Sequence, residues 1–400
     1  MREVRLREVL TVSRDPVPLE DSETYETVGI LHYGRGLFAR PAILGRDTSY
    51  DRYYRVRAEQ FVYSRLFAWE GALTVVPEHF DGFFVSPEFV TFDIDQSAAL
   101  PGYLQLVCQW PPMWSRISAG EAGMGGRRKR VQPERLLDVY APLPSIEEQR
   151  RIVDLLGHSE RTLAAHQRAE NAASLLAQAL RYDHFSNLLA DSRSTARDFF
   201  EVTIGRQRSP RHAAGKHVLP YLRAANVKNG LLDLHDVKAM NFDPLEQVKY
   251  RLVPGDVLVT EGCGSLKQLG ASARWMGELP GTVCFQNTLI RLRGKAGVST
   301  SAYAYQWARY CFETDEFAAV ASGTNIFHIG SERLGRMELT PIPIEDQVEF
   351  VERVEGADGV VDRVRESRRF LGELRASLYS DLLLGQHTIS DRYDRLLETA

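Results

Sequence analysis

Two short stretches concentrate enough positive charge to hold an anion. "RRKR" (Arg127, Arg128, Lys129, Arg130) follows Gly125 and Gly126, and "RQRSPRHAAGK" carries Arg206, Arg208, Arg211 and Lys216 with no acid among them. Glycine-flanked basic loops can bring side chains and backbone N–H groups to phosphates, where each neutralised charge releases counterions and adds salt-sensitive affinity. Taken alone, either stretch could equally be a solvated surface loop. The chemistry they offer is binding, not bond breaking.

Residues for covalent chemistry do not form a recognisable pattern. The one Pro-Pro, in "QWPPMW" (109–114), has Trp110 where an adenine methyltransferase needs Asn or Asp. The phosphate-cradling G-x-x-x-x-G-K-[ST], a G-x-G-x-x-G after a strand, G-x-S-x-G and H-E-x-x-H are all missing. Cys108, Cys263, Cys284 and Cys311 lie far apart and are expected to be buried structural thiols, since zinc sites use close pairs. The ten histidines are scattered. The chain is expected to carry no catalytic residue, no metal and no cofactor of its own.

The bulk composition fits a soluble protein of several domains: 400 residues, 44% apolar and 26% charged. No apolar run is long enough for a membrane span, and "MREVRLREVL" lacks the apolar centre of a secretory signal, so a cytoplasmic location is expected. The net charge of −4 does not advertise a nucleic-acid binder. Local patches must carry that case.

The elements that would position such patches come in two copies. An offset of 196 pairs "YETVGILHYG" (25–34) with "YLRAANVKNG" (221–230) and "YRVRAEQFVYSR" (54–65) with "YRLVPGDVLVTE" (250–261). The offset rises to 199 for "GALTVVPEHFDG" (71–82) and "GASARWMGELPG" (270–281), which places a three-residue insertion in a loop of the second copy. At 198, "GGRRKRVQPERL" (125–136) meets "GTNIFHIGSERL" (323–334), and Gln149 meets Gln347. Four blocks in one order define a tandem duplication.

Matching frames carry unlike side chains. Arg65 corresponds to Glu261, and Arg127, Arg128, Lys129, Arg130 to Asn325, Ile326, Phe327, His328. Arginine suits the O6/N7 edge of guanine, asparagine the N6/N7 edge of adenine, and glutamate can accept from cytosine N4. With Ser64, Thr260, Lys267 and Thr324 these residues complete a candidate DNA-binding set. Two readers of different short sequences would need such divergence on one scaffold.

Each copy begins with period-two apolar stretches ("QFVYS", "FVTFDID", "DVLVT", "TLIRLR") bounded by Gly, Pro and Asp turns, and ends in a long helix. "PLPSIEEQRRIV" (142–153) and "PIPIEDQVEFV" (341–351) open these helices. Ser145 with Glu148 fits a capping box, whereas the second copy has Ile344 where a cap would sit and relies on Glu345 and Asp346. Coiled-coil stripes run through Ile152, Leu156, Leu163, Ala173, Ala177 and Leu180, and through Phe350, Val354, Ala357, Val361, Val364, Leu371, Leu378 and Leu382. Arg368 and Arg375 interrupt the second. The expected fold is α+β or α/β: two tandem-repeat globular domains separated by two helices in an antiparallel coiled coil. The expected boundaries are 1–141 and 191–340 for the domains, 142–190 and 341–385 for the helices, and 386–400 for a tail.

The Pro-x-Pro, Ile-Glu-acid-Gln helix starts, "YRLVPGDVLVT" and the order unit, helix, unit, helix resemble the specificity subunits of type I restriction-modification systems, over nearly the whole chain. The first unit departs from the pattern, with "RAEQFVYS" in place of the Pro-Gly-Asp turn. The resemblance implies a non-catalytic subunit with two target recognition domains for double-stranded DNA and a helical ruler that sets the spacer between half-sites. It further implies docking of two modification subunits, and of restriction subunits where a nuclease arm exists. S-adenosylmethionine, ATP and Mg would belong to those partners. The competing readings are a protein-interaction scaffold and a self-sufficient DNA methyltransferase or restriction protein.

Overall fold

The computed structural model describes residues 2–119, 130–187, 194–209 and 215–397. The chain divides into two compact units, residues 1–165 with 367–400, and residues 166–366.

In the first unit, β1 (Leu10–Val12), β2 (Phe61–Ser64), β3 (Leu73–Val75) and β4 (Phe89–Ile94) form an antiparallel sheet of order β3-β2-β4-β1. The helix α1 (Pro101–Gln109) follows, and α2 (Ile146–Asn187) opens within this unit. The two central strands are the apolar stretches "FVYS" and "FVTFDI". Their alternation sends Phe61, Tyr63, Val90 and Phe92 into the core shared with α1 and the start of α2, and Val62 and Phe89 into a second core behind the sheet. A strand buried on both faces reads as a continuous apolar run, and each such side chain contributes about 1.5–3 kcal/mol on burial.

The second unit repeats this order. Strands β5 (Phe200–Ile204), β6 (Val257–Thr260), β8 (Ser272–Arg274) and β9 (Leu289–Gly294) pair as β8-β6-β9-β5, with the two-residue β7 (Gly262–Cys263) following β6. The helix α3 (Ser301–Glu313), the short strand β10 (Phe327–His328) and α4 (Ile344–Leu383) complete the set used here. The same division of faces recurs: Val257, Val259, Ile290 and Leu292 enter one core, Leu258 and Leu289 the other.

Turn chemistry before the central strand differs between the units while its geometry is kept. Gly255 takes φ +96°, and Asp256 accepts from Val253 N at 2.8 Å and from Arg293 Nε and Nη2 at 2.6 and 2.8 Å. In the first unit Glu59 adopts φ +65°, and Gln60 accepts from Arg57 N at 3.0 Å and donates to Asp93 at 2.8 Å. An ion pair has become an amide–carboxylate hydrogen bond at equivalent places. The second sheets diverge further. Asp15–Pro18, Arg52–Arg55 and Phe84–Val85 are all antiparallel, whereas Val218–Leu222 pairs antiparallel with Lys238–Asn241 and parallel with Cys284–Phe285.

Both long helices start on a buried glutamine. Gln149 Nε2 donates to Ala98 O and Pro144 O at 2.9 and 3.0 Å, and its Oε1 accepts from Leu100 N at 2.8 Å. Gln347 Nε2 donates to Val298 O and Ile342 O at 2.9 and 3.2 Å, and its Oε1 accepts from Ser299 Oγ at 2.7 Å. Both residues are 0% exposed. The repeated motif therefore clamps the helix start to the segment before α1 or α3, with every polar atom of the glutamine satisfied.

The capping box is half formed. Ser145 Oγ accepts from Glu148 N at 3.3 Å, but the Glu148 carboxylate accepts from Ile389 N at 2.9 Å instead of reaching back. In the second copy Gln347 N bonds to Pro343 O, so the cap position is Pro343 and Ile344 is the first helical residue.

The two helices pack together antiparallel. Within the first unit Tyr393, just beyond α4, donates to Asp154, and Arg375 pairs with Glu160; within the second Arg365 pairs with Glu170, and Phe350 stacks on His184 at 3.7 Å. One number falls as the other rises. The apolar stripes hold: Ile152, Leu156, Ala177, Phe350, Val354, Ala357, Val361 and Leu382 are buried, while Leu163, Val364, Leu371 and Leu378 are half-buried. Periodicity missed Arg181, which is 0% exposed and meets Glu313 at 2.8 Å, Asp358 at 3.3 Å and Gln306 at 3.2 Å, tying α2, α3 and α4 in one network.

Candidate nucleic-acid interface

The end of the central strand and two neighbouring loops form the same backbone frame in each unit. Arg65 N donates to Glu88 O at 2.8 Å, and Val131 N to Arg65 O at 2.8 Å. In the second unit Glu261 N donates to Thr288 O and Ile329 N to Glu261 O, both at 2.9 Å. Val131 and Ile329 are buried, and in the first unit Tyr63 Oη also donates to Val131 O at 3.0 Å, so the loop is anchored just beyond residues 130 and 328.

On that frame stand different polar groups. In the first unit Arg130 grips Glu88 through two bonds, Nε–Oε2 at 2.9 Å and Nη2–Oε1 at 2.7 Å, and the guanidinium holds the Glu88 carboxyl below the usual carboxylate range. Half of the Arg130 side chain stays exposed, 50% against 18% for Glu88, so the carboxylate orients a cation that still faces solvent. Arg65 Nη2 donates to Gln132 Oε1 at 2.8 Å. In the second unit Glu261 Oε2 lies 2.9 Å from Nδ1 of the exposed His328. An ionised carboxylate only accepts, so Nδ1 carries a proton, and in the neutral form of the ring Nε2 is then the acceptor.

The loop carrying His328 is a short hairpin. β7 pairs with β10, Gly262 opposite His328 and Cys263 opposite Phe327, and Ser322 bridges back to His328. Gly323 at φ +120° turns the chain, leaving Thr324, Asn325 and Ile326 exposed at the tip. The three residues gained by the second copy fall between β6 and β8, in the segment that supplies β7 and the exposed Lys267.

The remaining sequence-derived candidates separate into groups. Thr260 and Ser64 are buried beneath the frame, their backbone N–H groups bonded to Ala271 O and Ala72 O. Arg208 and Lys216 are exposed on the segment leading toward Val218. Arg206 is 5% exposed: its Nε donates to Glu246 at 2.7 Å, Nη1 to Asn241 O at 3.1 Å, and its guanidinium lies 5.3 Å from the Phe242 ring. That cation works inside the domain. Arg127, Arg128, Lys129 and Arg211 lie outside the described residues. Of the cysteines, Cys108, Cys284 and Cys311 are buried as expected, with burial pushing the Cys284 thiol up to about 12, but Cys263 is half-exposed.

Glu88 and Gln132, the groups that orient Arg130 and Arg65, were not singled out from sequence. Glu88 lies 42 residues from Arg130 and no local spacing points to it. Among the described residues no group of three or more His, Cys, Asp or Glu side chains could hold a metal ion, and no helix is long and apolar enough to cross a membrane.

Two β-rich domains of one strand order, separated by a packed antiparallel pair of long helices, make the fold of a type I restriction-modification specificity subunit. No protein-family model and no curated protein matches the chain. Solved structures do. The HsdS subunit from Thermoanaerobacter tengcongensis is similar at a TM-score of 0.57 and 18% identity, over 96% of this chain and 97% of that one. A chain from a study of complex assembly and conformational transition in the type I R-M system gives 0.63 and 17% over the same shares, and the S subunit from M. genitalium gives 0.52 and 12% over 96% of each. The likeness is one of fold.

Proposed function

We propose that this chain is the DNA-specificity subunit of a type I restriction-modification complex and carries no catalysis of its own. Each unit reads one half of a bipartite duplex target, and the helix pair sets the spacer between the halves. One observation carries the reading: a single backbone frame, built twice, presents a carboxylate-oriented Arg130 in one unit and a carboxylate-oriented His328 in the other. Arg130 suits guanine O6/N7, while Nε2 of neutral His328 accepts from cytosine N4 or adenine N6. Thr324, Asn325 and Lys267 add polar reach on the side of His328, and Arg65 adds positive charge beside Arg130, which Arg127, Arg128 and Lys129 precede in the sequence.

Two modification subunits and, where present, restriction subunits dock on this scaffold and bring the methyl donor, ATP and Mg. A net charge of −4 fits a subunit whose phosphate contacts are completed by such partners. The test is selection of bound duplexes from a random library by the assembled complex. Arg130→Ala should relax one half-site and His328→Ala the other, each by about 1–3 kcal/mol at the contacted base pair, with the spacer unchanged. Selection of the same sequence by both variants and the parent would refute the assignment of these residues as readers.

A further inference from the structure

A β-hairpin precedes the central strand in each unit, and its tip falls at the same place in the repeat. Val28–Ile30 pairs with Leu37–Ala39 in the first unit, and Val227–Lys228 with Leu231–Leu232 in the second. At the offset of 196, His32, Tyr33 and Gly34 correspond to Lys228, Asn229 and Gly230, and the two glycines take φ +64° and +86°. Each glycine N–H ties its tip to chain beyond the central strand, Gly34 to Gly71 O and Gly230 to Ser272 O, both at 2.8 Å but at different steps of the repeat.

Both tips stand beside the residues assigned above to DNA. In the first unit the His32 ring lies 5.1 Å from that of Phe67, two residues beyond Arg65. In the second, Lys228 and Asn229 share a hollow with Gly262 and Cys263 of β7, whose partner strand β10 carries His328. What the tips present differs. Lys228 and Asn229 are exposed, and so are Tyr33 and Arg35, Tyr33 at 57%. Tyr33 also takes φ +63°, a conformation that glycine adopts freely and a bulky residue rarely does. Its N–H donates to Glu70 O at 2.9 Å, its ring lies 5.6 Å from that of Trp114, and the Arg35 guanidinium lies 6.0 Å from the ring centre. Strain of this kind concentrates where a side chain is held ready for a ligand.

We propose that each hairpin tip is a second reader of the half-site that its unit recognises. The inference rests on the DNA-recognition reading above and adds residues to it. Asn229 suits the N6/N7 edge of adenine, and the Tyr33 ring offers an apolar face to a thymine methyl. Lys228 and Arg35 stand next to them in the tips as cations for phosphates. A cation beside the reading group in both copies is what an anionic partner requires. As on the frame, matched backbone carries unlike groups, here an amide and an aromatic ring.

Duplex selection by the assembled complex tests this. Asn229→Ala should lose about tenfold of discrimination at an A·T pair in the half-site altered by His328→Ala, at a position that His328→Ala leaves intact. Tyr33→Gly keeps the positive φ without strain while removing the ring, and should relax an A·T pair in the half-site altered by Arg130→Ala. Lys228→Ala should weaken all sequences alike and lower the slope of log affinity against log salt by about one. A parent motif retained in full by both Asn229→Ala and Tyr33→Gly would overturn the proposal and leave the reading by Arg130 and His328 intact. So would a variant that keeps the parent's melting profile and no longer assembles with the modification subunits, since that assigns the tip to a protein contact. A parent complex with no sequence preference would sink the recognition reading and this proposal with it.

Discussion

At the scale of single residues, the account turns on side chains held by partners far away in sequence. Gln149 and Gln347 were legible as a repeated motif, but their role was not, because Ala98, Leu100, Val298 and Ser299 lie about fifty residues upstream. Gln149→Leu or Gln347→Leu strands two carbonyls and one donor each, so either should destabilise the chain by about 2–4 kcal/mol in urea unfolding. Arg206 illustrates the converse. Sequence placed it in a basic loop, yet Glu246, Asn241 and Phe242 draw it inside, and nothing in "RQRSPRHAAGK" announces those partners. Arg130, His328 and Glu261 were identified because the duplication aligned the two copies; Glu88, the carboxylate that aims Arg130, was out of local view.

At the scale of elements, period-two runs gave the central strands well, since burial on both faces leaves only apolar choices. The second sheets escaped because the copies have diverged there: Val218–Leu222 pairs in parallel with Cys284–Phe285, whereas in the first unit the parallel contact is a single bridge from Thr27 to Phe84. The helix stripes were legible to the residue, but the charged and imidazole members of the seam were not. His184 stacks on Phe350 and lies 3.1 Å from Tyr303 Oη. Burial first, and Arg353 second, push its pKa down to about 4. Its neutral form is favoured in the folded state, so the stability it contributes is present above the ordinary histidine range and is lost as pH falls from about 6.5 toward 4. The urea midpoint should drop over that window, and His184→Phe should flatten the drop. Arg181, buried against Glu313 and Asp358, is the other seam residue with an expected cost: Arg181→Ala should destabilise in urea unfolding, by less than the ~3–5 kcal/mol of a fully uncompensated buried charge, because Glu313 and Asp358 are left to share Arg309.

For the whole molecule, the duplication is the property that sequence conveyed best: order, offsets and the inserted loop all survive in the structure. What duplication gives is two frames; what divergence gives is two chemistries on them. On the proposed reading the helix pair is the ruler, so removing residues 160–166 from α2 together with 369–375 from α4, segments joined by Glu160–Arg375, should shorten the spacer by about three base pairs at 1.5 Å per residue while both half-sites stay readable. The most direct test of the central claim is a genome-wide map of methylated bases in cells with and without this gene. The account expects modification at one bipartite motif, two unlike half-sites flanking a fixed unspecified spacer, that vanishes when the gene is removed. A methylation map identical in both strains, or a lost motif that is one uninterrupted sequence, would contradict it.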